Sequence, residues 1–203
     1  MKRNISVVVR IGILGGLLAL VGYIFWLNEI QYLRPTPVPV DYRPVTLGEQ
    51  IPLHQHLALD GNKPVFLHFF NPSCPCSRFN VQHFSQLVRQ YGKDVTFVVV
   101  LQGDQSPSLF DLSLKKIYTL NIPLVKDSNR DLARLCGVYA TPQAVLLSHS
   151  GQLLFRGNYN LARYCTQEKT NFAEISLIQV LQGEEIPDFG RQATQAWGCS
   201  LPE

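Results

Sequence analysis

The hydrophobic pattern divides the chain into unlike parts. Residues Ile11 to Leu27 carry no charged side chain, and only Arg10 separates them from a second apolar run, Ile5 to Val9. The segment is apolar all round, which a core helix of a small domain rarely is. At about 1.5 Å per residue it is long enough to cross a hydrocarbon layer of roughly 30 Å, with Arg10 snorkelling to the headgroups. Arg34 to Pro44 then reads RPTPVPVDYRP, a spacing of prolines that resists helix and sheet and favours an extended tether.

Beyond the prolines the periodicity is that of an α/β domain. Val65-Phe66-Leu67-His68-Phe69-Phe70 is a short, nearly continuous apolar run, as in a strand buried on both faces. Phe84, Leu87, Val88 and Tyr91 fall on one helical face closed by Gly92, and Val95 to Leu101 is a second buried strand. Strand, helix, strand in this order predicts a right-handed parallel crossover. A helix is expected around Leu109 to Leu120, a short strand at Ile122 to Val125, and a helix over Asp131 to Cys136 stopped by Gly137. Gln143 to Leu147 and Leu153 to Arg156 flank a turn at His149-Ser150-Gly151 and predict a hairpin. A last helix is expected from about Thr166 to Leu181, with Ala173, Leu177, Val180 and Leu181 inward and Gly183 as its stop. The domain reading is therefore a tip and transmembrane anchor over 1–30, a Pro-rich linker over 31–44 and a folded domain over 45–203.

Charge adds orientation. The net charge is only +3, and no Lys/Arg block interleaved with aromatics follows the anchor, which argues against nucleic acid as a partner. Lys2, Arg3 and Arg10 lie before or early in the apolar segment, so the positive-inside rule leaves the N-terminus in the cytoplasm and the domain outside. Tyr23, Phe25 and Trp26 stand where a signal peptide would need its small-residue cleavage site and instead suit an interfacial belt, favouring a retained anchor. The expected setting is a bacterial inner membrane, crossed once, with the domain in a disulfide-permissive periplasm and lipid as a partner of the anchor.

Candidate chemistry sits at Cys74-Pro75-Cys76, between a buried strand and an amphipathic helix. Unpaired N–H groups and the dipole at a helix start favour a thiolate there. Arg78 reads as solvated, Cys136 as a buried structural thiol on the apolar face of its helix, and His68 as a hydrogen-bonded core residue. His54 and His56 form an exposed-loop pair without a completing ligand, and His149 belongs to a turn.

Phe69-Phe70-Asn71-Pro72-Ser73-Cys74-Pro75-Cys76 resembles the active-site strand and loop of the thioredoxin-like superfamily, in particular its AhpC/TSA-type redoxin domains. Gly137-Val138-Tyr139-Ala140-Thr141-Pro142-Gln143 resembles that family's cis-proline segment, and Gly151 to Gly157 its following hairpin. The resemblance covers about Pro64 to Leu181. It implies a thioredoxin-like fold with a mixed central sheet flanked by helices, a cis bond at Thr141-Pro142, and disulfide exchange with protein dithiols or disulfides. In that exchange Cys74 would attack and Cys76 resolve, with the segment before Pro142 pairing with substrate backbone. A membrane or periplasmic redox partner would reset the pair, and no cofactor is needed.

The chain departs from thioredoxins in having Ser73 before the first cysteine and one residue between the pair. Leu67 and Asn71 stand where peroxidatic peroxiredoxins carry Pro and Thr/Ser, which demotes peroxide reduction. Copper delivery of the Sco kind is the runner-up, though C-P-C replaces C-x-x-x-C and the late histidine, His149, is assigned to the hairpin. Two readings of the C-terminal cysteines stay open. Cys165 and Cys199 flank the last helix and are expected first as a structural disulfide of an exported domain. The Gly198-Cys199-Ser200 ending also resembles a Gly-Cys tail of some redoxins, which would make Cys199 a resolving partner of Cys74.

Overall fold

The computed structural model describes residues 2–28, 30, 34–53, 57, 61–103, 112–162 and 165–202. It contains two compact units, residues 1–35 and 36–203. The first is built on helix α1 (Lys2–Asn28), within which Val7–Leu27 is long and apolar enough to cross a membrane.

The second unit is organised on a five-stranded sheet. Its strands are β1 (Val65–Phe70), β2 (Thr96–Leu101), β3 (Leu124–Lys126), β5 (Gln143–Leu147) and β6 (Leu153–Gly157), in the order β3-β2-β1-β5-β6. A two-residue strand β4 (Ala140–Thr141) precedes β5. β1 pairs in parallel with β2 and β2 with β3, whereas β5 runs antiparallel to both β1 and β6. The sheet is mixed because the first crossover passes through α2 (Pro75–Tyr91), while β5 and β6 form the predicted hairpin, turned by Gly151 at φ 91°.

Every residue of β1 is buried, since both faces are covered. Phe66 and Phe70 join Phe84 and Leu87 of α2, with Leu177 of α5 (Phe172–Gln182), in one core layer. Leu67 and Phe69 join Val98, Val100, Val145 and Leu132 of α4 (Asp131–Cys136) in the other. A strand wrapped on both sides loses the polar alternation of a half-exposed one, which is why its sequence reads as a continuous apolar run.

The structure moves several expected boundaries. The stretch expected as a linker packs within the second unit from Thr36: the Thr36 N–H donates to the Ala196 carbonyl (2.9 Å), and the Tyr42 hydroxyl donates to the Gly137 carbonyl (3.0 Å). The prolines keep this stretch extended, and the domain supplies partners for its remaining polar groups. Helix α3 covers Leu112–Tyr118, and the upstream part of the helix expected there, like His54 and His56, lies outside the described residues. The last predicted helix begins at Phe172, after a 3₁₀ turn at Glu168–Thr170, and Leu181 is exposed on it. Downstream come two short elements that periodicity does not reveal, α6 (Arg191–Thr194) and strand β7 (Cys199–Ser200).

One buried acid ties the sheet to α4. Asp127 accepts hydrogen bonds from Gln102 Nε2 (2.8 Å), the Leu132 N–H (3.1 Å) and the Ala133 N–H (3.0 Å), satisfying two donors of the first turn of α4. Asp127→Ala leaves these donors unpaired in a buried place and is expected to lower stability by about 2–4 kcal/mol in denaturant titration. A change below about 0.5 kcal/mol, the range of ordinary surface substitutions, would show that water replaces the carboxylate without loss.

Candidate functional site

Three cysteines converge where β1 ends. Cys74 is the N-cap of α2, with φ −86° and ψ 118°, and Pro75 occupies the first helical position, where a missing N–H costs nothing. The approach is fixed by the Ser73 N–H donating to Asn71 Oδ1 (2.9 Å) and by the Cys74 N–H donating to the Asn71 carbonyl (3.0 Å). Cys74 and Cys76 are both buried on the helix.

Cys74 is disulfide-bonded to Cys199, with the two Cα atoms 5.9 Å apart. Cys76 stands outside that bond, yet the three sulfurs of Cys74, Cys76 and Cys199 lie within 4.8 Å of one another. The Thr141-Pro142 peptide bond is cis. The Thr141 carbonyl oxygen lies 3.3 Å from Cys74 Sγ, a contact that a reduced Cys74 thiol could convert into a hydrogen bond. Cys74, Cys76, Thr141 and Pro142 are thus brought to one place, with Cys199 among them.

Cys165 is not. The expected Cys165–Cys199 staple does not form: Cys199 is spent on Cys74, and Cys165 instead accepts a hydrogen bond from Asn80 Nδ2 (3.1 Å) beside α2. Flanking a helix in sequence does not bring two residues together when the chain beyond α5 turns back through α6 to the other cysteine. Burial pushes the Cys165 thiol up to about 11, with Asn80 opposing, and the Cys136 thiol up to about 12, with Arg156 opposing. Both are therefore poor nucleophiles at neutral pH.

The tail is brought to Cys74 by residues that no motif marks. Asn158 Nδ2 donates to the Gln192 (3.0 Å) and Gln195 (2.7 Å) carbonyls, and its Oδ1 accepts from the Trp197 N–H (3.1 Å). Tyr139 Oη accepts from the Ala196 N–H (3.1 Å), and Thr36 Oγ1 donates to the Gly198 carbonyl (3.1 Å). β7 then pairs antiparallel with β4, Ala140 opposite Ser200 and Thr141 opposite Cys199.

Among the described residues, no histidine belongs to the sulfur cluster. His68 Nδ1 hydrogen-bonds Tyr159 Oη (2.7 Å) and its ring stacks on Phe84, while His83 lies edge-on to Tyr159. Burial, and then the neighbouring His83, holds His68 down to about 3; burial also lowers His83, against Glu174. His149 is exposed between β5 and β6, and Arg78 is exposed on α2.

The strand order, the mixed pairing and the cysteine at the strand-to-helix corner facing a cis-proline define a thioredoxin-like fold. Within that class the chain belongs to the family described as a domain of unknown function, DUF6436, whose model matches residues 45–200. No curated protein shows a significant match to the chain. Among solved structures, a hypothetical protein of Sinorhizobium meliloti 1021 is similar at 18% identity, covering 79% of this chain and 96% of its own, with a TM-score of 0.63. An uncharacterized conserved protein of Geobacillus kaustophilus matches at 20% identity, over 83% of this chain and 98% of its own, also at 0.63. A secreted disulfide oxidoreductase of Mycobacterium tuberculosis is a more distant likeness, at 23% identity over 47% of this chain and 68% of its own, with a TM-score of 0.38.

Proposed function

We propose that this chain is a membrane-anchored, periplasm-facing thiol:disulfide exchange protein in which Cys74 is the attacking sulfur and Cys199 and Cys76 are its alternative internal partners. The observation that carries this is a disulfide at the N-cap of α2, beside Thr141-Pro142, with a third sulfur within 4.8 Å. A helix start stabilises the thiolate that Cys74 becomes on reduction, and exchange needs a second thiol close enough to resolve the mixed disulfide. The partners are protein dithiols or disulfides, with a further redox partner to reset the pair. Lys2, Arg3 and Arg10, together with the span Val7–Leu27, support an anchor that leaves the domain in an oxidising compartment.

The test is differential alkylation of the reduced full chain in detergent at pH 8, with mapping by mass spectrometry, followed by titration in glutathione buffers. Cys74 should alkylate first, with Cys136 and Cys165 slowest, because burial raises both of those thiols and disfavours their thiolates. Reoxidation should yield Cys74–Cys199 and Cys74–Cys76, with their summed population following the glutathione ratio and their relative amounts independent of it, since the two forms are isomers. A Cys74 inert to both treatments would sink the reading.

The same three sulfurs favour a second reading, Cu(I) carriage by the reduced form, because soft thiolates suit that ion. Anaerobic Cu(I) titration that gives one tightly held ion per chain, lost in Cys76→Ser, would favour it over exchange.

A further inference from the structure

The tail reaches Cys74 as an added strand. Cys199 and Ser200 pair with Thr141 and Ala140, and the Leu201 N–H donates to the Tyr139 carbonyl (3.4 Å). On its other side Thr36, itself buried, holds the Ala196 and Gly198 carbonyls. Residues 196–201 therefore lie in a slot between Thr36 and the Tyr139–Thr141 edge. Most of the polar contacts within it are to main chain, and one side chain, Cys199, is held covalently. A slot that grips backbone and reads few side chains is the arrangement by which a sheet edge accepts an extended peptide.

We propose that this slot is the docking site for an extended segment of a client protein carrying Gly-Cys, and that the chain's own tail is its tethered stand-in. The proposal rests on the exchange reading above and adds the Gly-Cys requirement and the tail's role as an internal occupant of the slot. The register places one cysteine sulfur against Cys74, and any strand in that register presents its cysteine in the same way.

Gly198 supplies the sequence requirement. Its φ is +146°, and a Cβ there would lie 2.2 Å from the Thr141 carbonyl oxygen and 3.0 Å from its carbon. These are backbone atoms next to Pro142 and cannot swing aside. The residue before the docked cysteine must be glycine, in the tail and in a client alike.

The stand-in can leave without an external reductant. The Cys76 thiolate attacks Cys74 Sγ, the Cys74–Cys76 bond forms, and the Cys74–Cys199 bond breaks. Cys199 departs as a thiolate and takes up the proton that Cys76 gave, so no electrons enter or leave the chain. The two-pair ladder that remains is short, and its advantage over a client strand is its tether.

The full chain in detergent, as Cys76→Ser/Cys199→Ala, leaves Cys74 to react with a synthetic peptide of residues 194–202 whose cysteine is capped as a thiopyridyl disulfide. Cys74 attacks the peptide sulfur and thiopyridone leaves. The Gly-Cys peptide should form the Cys74 adduct about 10-fold or more faster than its Ala-Cys counterpart, while dithiodipyridine alone reacts with Cys74 at a rate that sets the baseline. Equal peptide rates with a normal dithiodipyridine rate overturn the docking proposal and leave the exchange reading standing; an inert Cys74 overturns the exchange reading itself. Gly198→Ala in the otherwise unchanged chain provides a second measurement. At a fixed glutathione ratio it should shift the mapped population about 10-fold from Cys74–Cys199 towards Cys74–Cys76. An unchanged ratio, or Cys74–Cys199 bonds formed between two copies, overturns the proposal.

Discussion

Replacing Cys74 by Ser is expected to slow disulfide exchange on the order of 10³-fold or more, because it removes the sulfur at the N-cap of α2, the one bonded to Cys199 and in contact with the Thr141 carbonyl. The measurement is the rate at which the full chain, in detergent, reduces a glutathionylated peptide. Cys76→Ser should lose far less, since Cys74 still attacks and Cys199 can still resolve the mixed disulfide, and Cys136→Ser should leave the rate unchanged because that thiol packs with Leu132 and Val145, outside the sulfur cluster. An undiminished rate in Cys74→Ser would transfer the attacking role to Cys76 or Cys199 and leave the helix N-cap without a catalytic part.

The second large effect is on stability in acid. Buried beneath α2, His68 stays neutral down to about pH 3 in the folded chain, while the unfolded chain protonates it near the ordinary 6.5. Between those values the unfolded state binds a proton that the native state refuses, so stability falls as pH drops below about 6.5, by about 1.4 kcal/mol for each pH unit per histidine fully in this regime. His83, lowered by burial against Glu174, adds to the loss in the same direction. Above pH 7 neither group contributes a slope. Urea titrations from pH 7.5 to 4 should show the decline, and His68→Gln, which keeps an acceptor for the Tyr159 hydroxyl, should reduce it. A slope identical in the variant would assign the acid sensitivity to carboxylates. The exchange rate should not follow this titration, because His68 and His83 bond and stack with Tyr159 and Phe84 and lie outside the sulfur cluster.

Asp127 and the tail illustrate what stayed hidden in the sequence. Asp127 caps α4 from outside the helix, across the end of β2, where no capping pattern in neighbouring residues announces it. Asn158, Tyr139 and Thr36 steer the tail through hydrogen bonds to main-chain atoms between 34 and 162 residues away in sequence, and a main-chain partner leaves no trace in side-chain identity. The Pro-rich stretch was legible as extended; that its front edge is part of the slot was not.

The amino-acid pattern by itself determined the apolar helix, the βαβ unit, the α4 helix and the β5–β6 hairpin. Each rests on local period and on stop residues such as Gly137 and Gly183, and burial then follows from the period. It also placed Cys74 at a helix start, because strand and helix meet there in sequence. Only the tertiary structure decided which cysteine Cys74 holds. Along the chain Cys76 was the expected partner of Cys74 and Cys165 the first expected partner of Cys199, but α6 and the Asn158 clamp carry the tail back across the fold and lay β7 beside β4. Disulfide pairing depends on the distance and direction between two Cβ atoms, which separation in sequence does not encode.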